Sequence, residues 1–105
     1  MHRHWAADLL ADFDDPASAI LGAELVCTSI TSGGDGADDN QPNVLAENPH
    51  IKYCNSRRGY LRCDVGRDVW HSDFLTMPFV SQPGAPIAVD ASWVVESGRP
   101  GLQPA

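Results

Sequence analysis

His2 and His4 stand one residue apart near the start of the chain. Alternate residues of an extended strand face the same side, so this spacing can present two imidazoles to one ion. Two ligands do not complete a site, because a catalytic metal takes at least three from the protein. The plain alternative is a pair of exposed histidines at a terminus. Gly33-Gly34-Asp35-Gly36 with Asp38 and Asp39 is the second candidate, since carboxylates are hard ligands for hard cations. The loop lacks the EF-hand spacing, and no Gly-Lys-Ser/Thr follows to make it a phosphate-binding P-loop. Its structural reading is a tight polar turn with solvated aspartates. Arg57-Arg58 can bind a phosphate through paired guanidiniums, or can pair with the acidic first half of the chain.

Other reactive types carry less. Cys27, Cys54 and Cys63 make an odd count with no C-x-x-C pair, so neither a zinc nor a redox motif is present. They read as free, partly buried thiols, although Cys54 and Cys63 can approach if their strands are neighbours. Ser29 and Ser32 lack the G-x-S-x-G elbow of a serine hydrolase. Trp70 and Trp93 lie in apolar alternation and read as core.

The elements that must position these groups are mostly strands. Trp5 to Phe13 fits a short helix or a strand. Asp14-Asp15-Pro16 is a turn. Ile20 to Ile30 is rich in β-branched residues and reads as a strand. Thr31 to Asn43 is a loop whose glycines permit positive φ. Val44 to Asn48 fits one helical turn before Pro49. His50 to Cys54 and Gly59 to Val65 read as strands, and Gly66-Arg67-Asp68 as a hairpin connection into a long strand from Val69 to Val80. Neither face of that strand is cleanly polar, which suits one covered on both sides in a larger body. Ile87 to Glu96 is the last strand, and residues 97–105 read as an irregular tail.

Size and charge bound the function. One hundred and five residues with 43% hydrophobic content predict one domain with a modest core. No apolar run approaches the ~18 residues of a membrane helix, and Asp8 and Asp12 interrupt any export signal. The net charge is -7. Residues 1–48 hold nine acids and one base, and residues 49–105 five acids and six bases. An acidic half beside a near-neutral half is unsuited to binding nucleic acid.

Several segments, in order, resemble the C-terminal portion of the alkaline phosphatase D family of calcineurin-like metallophosphoesterases. They are His2-Arg3-His4-Trp5-Ala6-Ala7-Asp8-Leu9, Ala11-Asp12-Phe13-Asp14-Asp15-Pro16 and the run from Glu24 through Thr31-Ser32-Gly33-Gly34-Asp35-Gly36. Asn48-Pro49-His50-Ile51-Lys52-Tyr53, Arg58-Gly59-Tyr60-Leu61-Arg62-Cys63 and Pro83-Gly84-Ala85-Pro86 follow. The resemblance covers nearly the whole chain. The family carries a Gly-Asp-x-His segment followed by Trp; His2 matches its histidine, Trp5 its tryptophan, and Met1 its variable position.

The resemblance implies a mainly β fragment of an α/β metallophosphoesterase sandwich, with about five mostly antiparallel strands and little helix. It implies His2, and more weakly His4, as metal-site residues. It implies iron and calcium, and a phosphate ester substrate, for the complete enzyme, which is commonly secreted or periplasmic. The family's Gly-Asp and most of its metal ligands fall in the N-terminal part, before residue 1. This chain alone is therefore expected to be inactive and to bind neither metal tightly. An independent, non-catalytic β-rich binding or interaction module is the alternative.

Overall fold

The computed structural model describes residues 2–105; Met1, assigned above to the variable position of the family motif, lies outside them. Seven strands and one short helix follow in the order β1 (His4–Leu10), β2 (Ile20–Val26), α1 (Pro42–Glu47), β3 (Ile51–Asn55), β4 (Arg58–Val65), β5 (Val69–Met77), β6 (Ala88–Glu96) and β7 (Arg99–Pro104). They form two sheets, β2-β1-β3 and β4-β5-β6-β7, with every pairing antiparallel. The shortest dimension is 18 Å. Packed sheets stand about 10 Å apart, so this thickness leaves room for two layers of strand and no third layer.

The segment left open between helix and strand is β1. Its residues pair on both sides, with Trp5 opposite Val26 and Cys54, so it is the central strand of its sheet. One face of β1 carries His4, Ala6, Asp8 and Leu10, all buried. Ala6 joins Phe74 of β5 and Leu102 of β7 in the core, and Leu25, Tyr53, Leu61, Trp93 and Val95 pack around them. The core thus lies between the sheets and draws from both.

Two buried polar side chains on that face join the layers. The His4 Nε2–H donates to the Leu75 carbonyl of β5 at 2.9 Å, while Nδ1 accepts from the Thr28 amide at 3.3 Å. The His4 ring meets Phe74 edge-on, with centroids 5.0 Å apart. Burial pushes the His4 pKa down and favours the neutral ring that this pattern of one donor and one acceptor requires. Farther along the strand, the Asp8 carboxylate accepts from the Leu102 amide of β7 at 2.8 Å, and Lys52 stands 3.8 Å from it.

Leu75 brings a second constraint. A Cβ built on Gly59 of β4 would lie 1.8 Å from the Leu75 carbonyl oxygen. Only glycine allows β4 to sit this close to the carbonyl that also receives His4.

The sequence expectation of about five strands leaves β1 open and misses β7. Residues 97–105 are not an irregular tail: Ser97-Gly98 turns the chain, Glu96 pairs with Arg99, and β7 forms the edge of its sheet. Pro100 and Pro104 lack an amide hydrogen, which an edge strand tolerates. Trp70 is 44% exposed rather than core, with its indole N–H on Ser72 Oγ at 2.9 Å. Trp93 is part-buried against the core as expected. The three cysteines are free, but only Cys54 is buried, and Cys63 lies in the other sheet from it.

On the outer face of the second sheet, Asp73 of β5 gathers polar partners from three strands. Its carboxylate accepts from Ser92 Oγ at 2.5 Å, from Arg62 at 2.8 Å and from His71 Nε2 at 2.8 Å. The Ser92 hydroxyl, then Arg62 and His71, hold its carboxyl well below the usual carboxylate range.

His4→Ala removes both bonds and strands a carbonyl and an amide between the sheets, at about 1–3 kcal/mol each. Urea unfolding of the variant is expected to show a loss of about 3–5 kcal/mol once the cavity cost is added; a loss under about 1 kcal/mol contradicts the inter-sheet role. Because the Asp73 pKa is depressed on folding, its contribution is complete above the ordinary carboxylate pKa of about 4 and is lost as pH falls below it. Asp73→Asn should therefore lower stability at neutral pH and flatten the decline below about pH 4. Parallel pH–stability curves for the two proteins would exclude that linkage.

Candidate functional site

The loop after β2 and the turn between β3 and β4 meet beside the start of β1. Between them lies a cavity of about 410 Å³ lined by His2, Arg3, Gly33, Gly36, Ala37, Asp39, Ser56 and Arg58. Its walls come from segments far apart in sequence, so the contacts that join the segments decide its shape.

Arg58, the first residue of β4, is 7% exposed. Its Nη2 donates to the Gly33 carbonyl at 2.9 Å and its Nε to the Gly34 carbonyl at 3.1 Å. Arg57 points the other way. It pairs with Asp38 through Nε and Nη2 at 3.0 and 3.1 Å, and its Nη1 donates to the Pro78 carbonyl at 3.0 Å. This two-pronged pair holds the Asp38 carboxyl below its usual range. Asp35 accepts from the Val80 and Ser81 amides at 2.8 and 2.9 Å and from Ser81 Oγ at 3.1 Å. Those two amides, before any other cause, hold its carboxyl low as well.

At Gly36 the loop touches the turn. Its φ is +72°, and a Cβ there would lie 2.2 Å from the Ser56 carbonyl oxygen. Ala37 then donates its amide to that same carbonyl at 3.4 Å. The aspartates of this loop are solvated, as the turn reading expects, with the Asp38 side chain 72% exposed, and they carry tertiary contacts as well. Asp35 and Asp38 fasten it to the segment after β5 and to the β3–β4 turn, and Asp39 stands 3.8 Å from Arg3.

The structure separates the residue pairs singled out in the sequence. His2 precedes β1, lies exposed and lines the cavity. His4 is fully buried, with both ring nitrogens engaged by backbone groups. As the side chains stand, His2 is open to the cavity and His4 has no ring nitrogen free for an ion. Arg57 and Arg58 divide in the same way, one holding Asp38 and the other reaching the glycine carbonyls beside the cavity. Ser56 escaped the sequence reading as a cavity residue; the glycine loop and the Asn55-Ser56-Arg57-Arg58 turn each gave a local signal, but nothing in the sequence showed that they meet.

The multi-metal centre implied by resemblance needs more donors than this chain brings together. Among the described residues no group of three or more His, Cys, Asp or Glu could hold a metal ion. His2 offers one imidazole, and His4 would have to release the Thr28 amide or the Leu75 carbonyl to offer another. The residues present therefore do not fit a complete iron or calcium site.

A second cavity, of about 570 Å³, shares Gly33 with the site and is lined on its other side by Met77, Phe79 and Val80. A third, of about 500 Å³, holds Tyr53, Asn55 and Asp90, in which the Tyr53 hydroxyl donates to Asp90 at 2.5 Å. Burial, followed by the Asp90 carboxylate, pushes the Tyr53 pKa far up, so that hydroxyl stays protonated as a donor between the sheets.

Comparison with known proteins agrees with this architecture. A family model described as PhoD-like phosphatase matches residues 1–74. Alkaline phosphatase D of Bacillus subtilis (strain 168) is 48% identical over 105 residues, which is 98% of this chain and 18% of that protein. A solved structure described as the structure of PhoD is 47% identical, with a TM-score of 0.91, and is covered over 20% of its length by 99% of this chain. The chain spans about one fifth of the length of these relatives. Its strands, its glycine loop and its β3–β4 turn all fall within these matches, and the chain belongs to the PhoD-like phosphatase family.

Proposed function

We propose that this chain is the C-terminal part of a metal-dependent phosphoesterase that hydrolyses phosphate monoesters or diesters, and that it contributes one wall of the active site. The observation that carries this reading is the match of almost the whole chain to one fifth of the solved PhoD structure at a TM-score of 0.91. Iron and calcium belong to the complete enzyme in this reading, on ligands drawn mainly from the rest of the family fold. His2 is the residue of this chain assigned to that centre, because it alone of the histidine pair is exposed and faces the cavity.

The chain's own surface supports an incomplete body. Leu21, Val65, Val69, Trp70 and Val89 are all more than two-fifths exposed. Among the described residues no other element covers them fully. Exposed apolar area on this scale marks a surface that packs against something else, and the remaining part of the family fold is the partner proposed. No helix among the described residues is long and apolar enough to cross a membrane.

The test is an assay with one phosphomonoester and one phosphodiester, with calcium and iron supplied. The 105-residue chain alone is expected to give no turnover, and the chain joined to the preceding part of the family fold is expected to turn over both or one of them. His2→Ala in the joined protein is expected to lower kcat/KM by at least about 100-fold, since even residues that only orient metal ligands cost 10- to 100-fold. Turnover by the isolated chain that survives stringent purification, or a joined protein indifferent to His2→Ala, would overturn the assignment.

A further inference from the structure

We propose that the cavity between the glycine loop and the β3–β4 turn binds a phosphate-type oxyanion, and that Arg58 supplies the charge that holds it. The choice of phosphate among oxyanions rests on the phosphoesterase reading above; the presence of an anion site does not.

Charge is unbalanced at Arg58. Arg3, Arg57, Arg62 and Arg99 each stand 2.8 to 3.9 Å from a carboxylate. Arg58 is the most deeply buried arginine, and no carboxylate lies within ion-pair distance of it among the described residues. Its partners are two neutral carbonyls, Gly33 and Gly34. Carbonyl dipoles satisfy the N–H groups but do not neutralise the charge, and burying a cation without a counter-ion is costly. An anion in the cavity that Arg58 lines removes that cost.

The rest of the cavity suits such a ligand. Arg3 brings a second guanidinium, and Asp39 is the one carboxylate on the wall. Asp39 is already offset by Arg3 at 3.8 Å and accepts the Gln41 amide. Ser56 offers a hydroxyl whose present bond, to the Asp39 carbonyl, is long at 3.4 Å and easily exchanged for a stronger acceptor. Charge-assisted bonds from guanidinium to phosphate oxygens are stronger than the neutral bonds they would replace. The wall is also fixed beforehand. Asp35, the Arg57–Asp38 pair and Gly36 fasten the loop, so little ordering is left for the ligand to bring about.

The test titrates inorganic phosphate into the ¹⁵N-labelled 105-residue chain and follows the amides of Gly33, Gly36, Ala37 and Ser56. Saturable shifts confined to these residues are expected, with chloride at equal ionic strength giving none. Arg58→Gln should weaken binding at least about tenfold, as expected for one charge-assisted contact, Ser56→Ala should weaken it less, and Arg62→Gln should leave it unchanged. A dispersed spectrum with no phosphate response, or equal shifts from chloride, overturns the site. If the isolated chain gives no dispersed spectrum, the readout becomes the phosphate inhibition constant of the protein joined to the rest of the fold. Arg58→Gln must then raise that constant while Arg62→Gln does not, and equal constants overturn the site. Phosphate binding without turnover in the joined protein would sink the phosphoesterase reading and leave the anion site standing; turnover with no effect of Arg58→Gln on phosphate affinity would do the reverse.

Discussion

The carbonyl of Leu75 is a buried point at which the two sheets are fixed to each other. It accepts the His4 Nε2–H from the central strand of one sheet, and it lies so close to β4 in its own sheet that residue 59 must be glycine. Phe74, the adjacent residue, fills the core against Ala6 and Leu102 and meets the His4 ring edge-on. A buried polar bond of this kind adds modest net stability when made, and is costly to lose because both partners stay dry. It sets which residues face one another across the layers. Asp8 repeats the device farther along β1 by accepting the Leu102 amide, so two polar ties on one strand face bracket an apolar centre.

That junction also places the site. The residue His4 receives from, Thr28, leads directly into the glycine loop, and the Ser29 carbonyl accepts the Gly59 amide of β4. The loop therefore leaves β2 already tied to both β1 and β4. Asp35, Asp38 and Arg58 then secure its path, each through contacts to a segment at least nineteen residues away. An acidic loop and a pair of arginines, which as composition are only opposite charges, become a shaped cavity because each charge has a distinct geometric task. Arg57 cancels Asp38. Arg58 holds carbonyls and leaves its own charge uncancelled.

Most of the strand content was legible in the sequence, since β-branched and aromatic alternation marks β2 through β6 and the turns between them carry Gly, Pro and Asp. β1 was ambiguous because Ala6, Ala7 and Leu9 favour helix locally; it becomes a strand through pairing on both edges, a tertiary effect that local propensity does not contain. β7 was hidden by Pro100, Gly101 and Pro104, residues that suit an edge strand as well as a tail. The site was legible only in part. Family resemblance pointed to His2, and periodicity grouped His4 with it. What the spacing could not show is that His4 opens β1 with both ring nitrogens taken by backbone groups, while His2 lies before the strand. The skewed negative charge of the first half was plain from composition, but its use as fastening for a loop, rather than as a metal-binding surface, depended on contacts that no local pattern reveals.

The central claim is that the paired histidines have separate tasks, His4 joining the sheets and His2 facing the cavity. Imidazole ¹⁵N spectra of the chain at neutral pH, recorded before and after calcium and iron are added, test it most directly. The account predicts that His4 shows a neutral ring with hydrogen on Nε2 and an unprotonated Nδ1, unchanged by either metal. A His4 ring that carries hydrogen on Nδ1, or whose nitrogens shift together with those of His2 when metal is added, would contradict it.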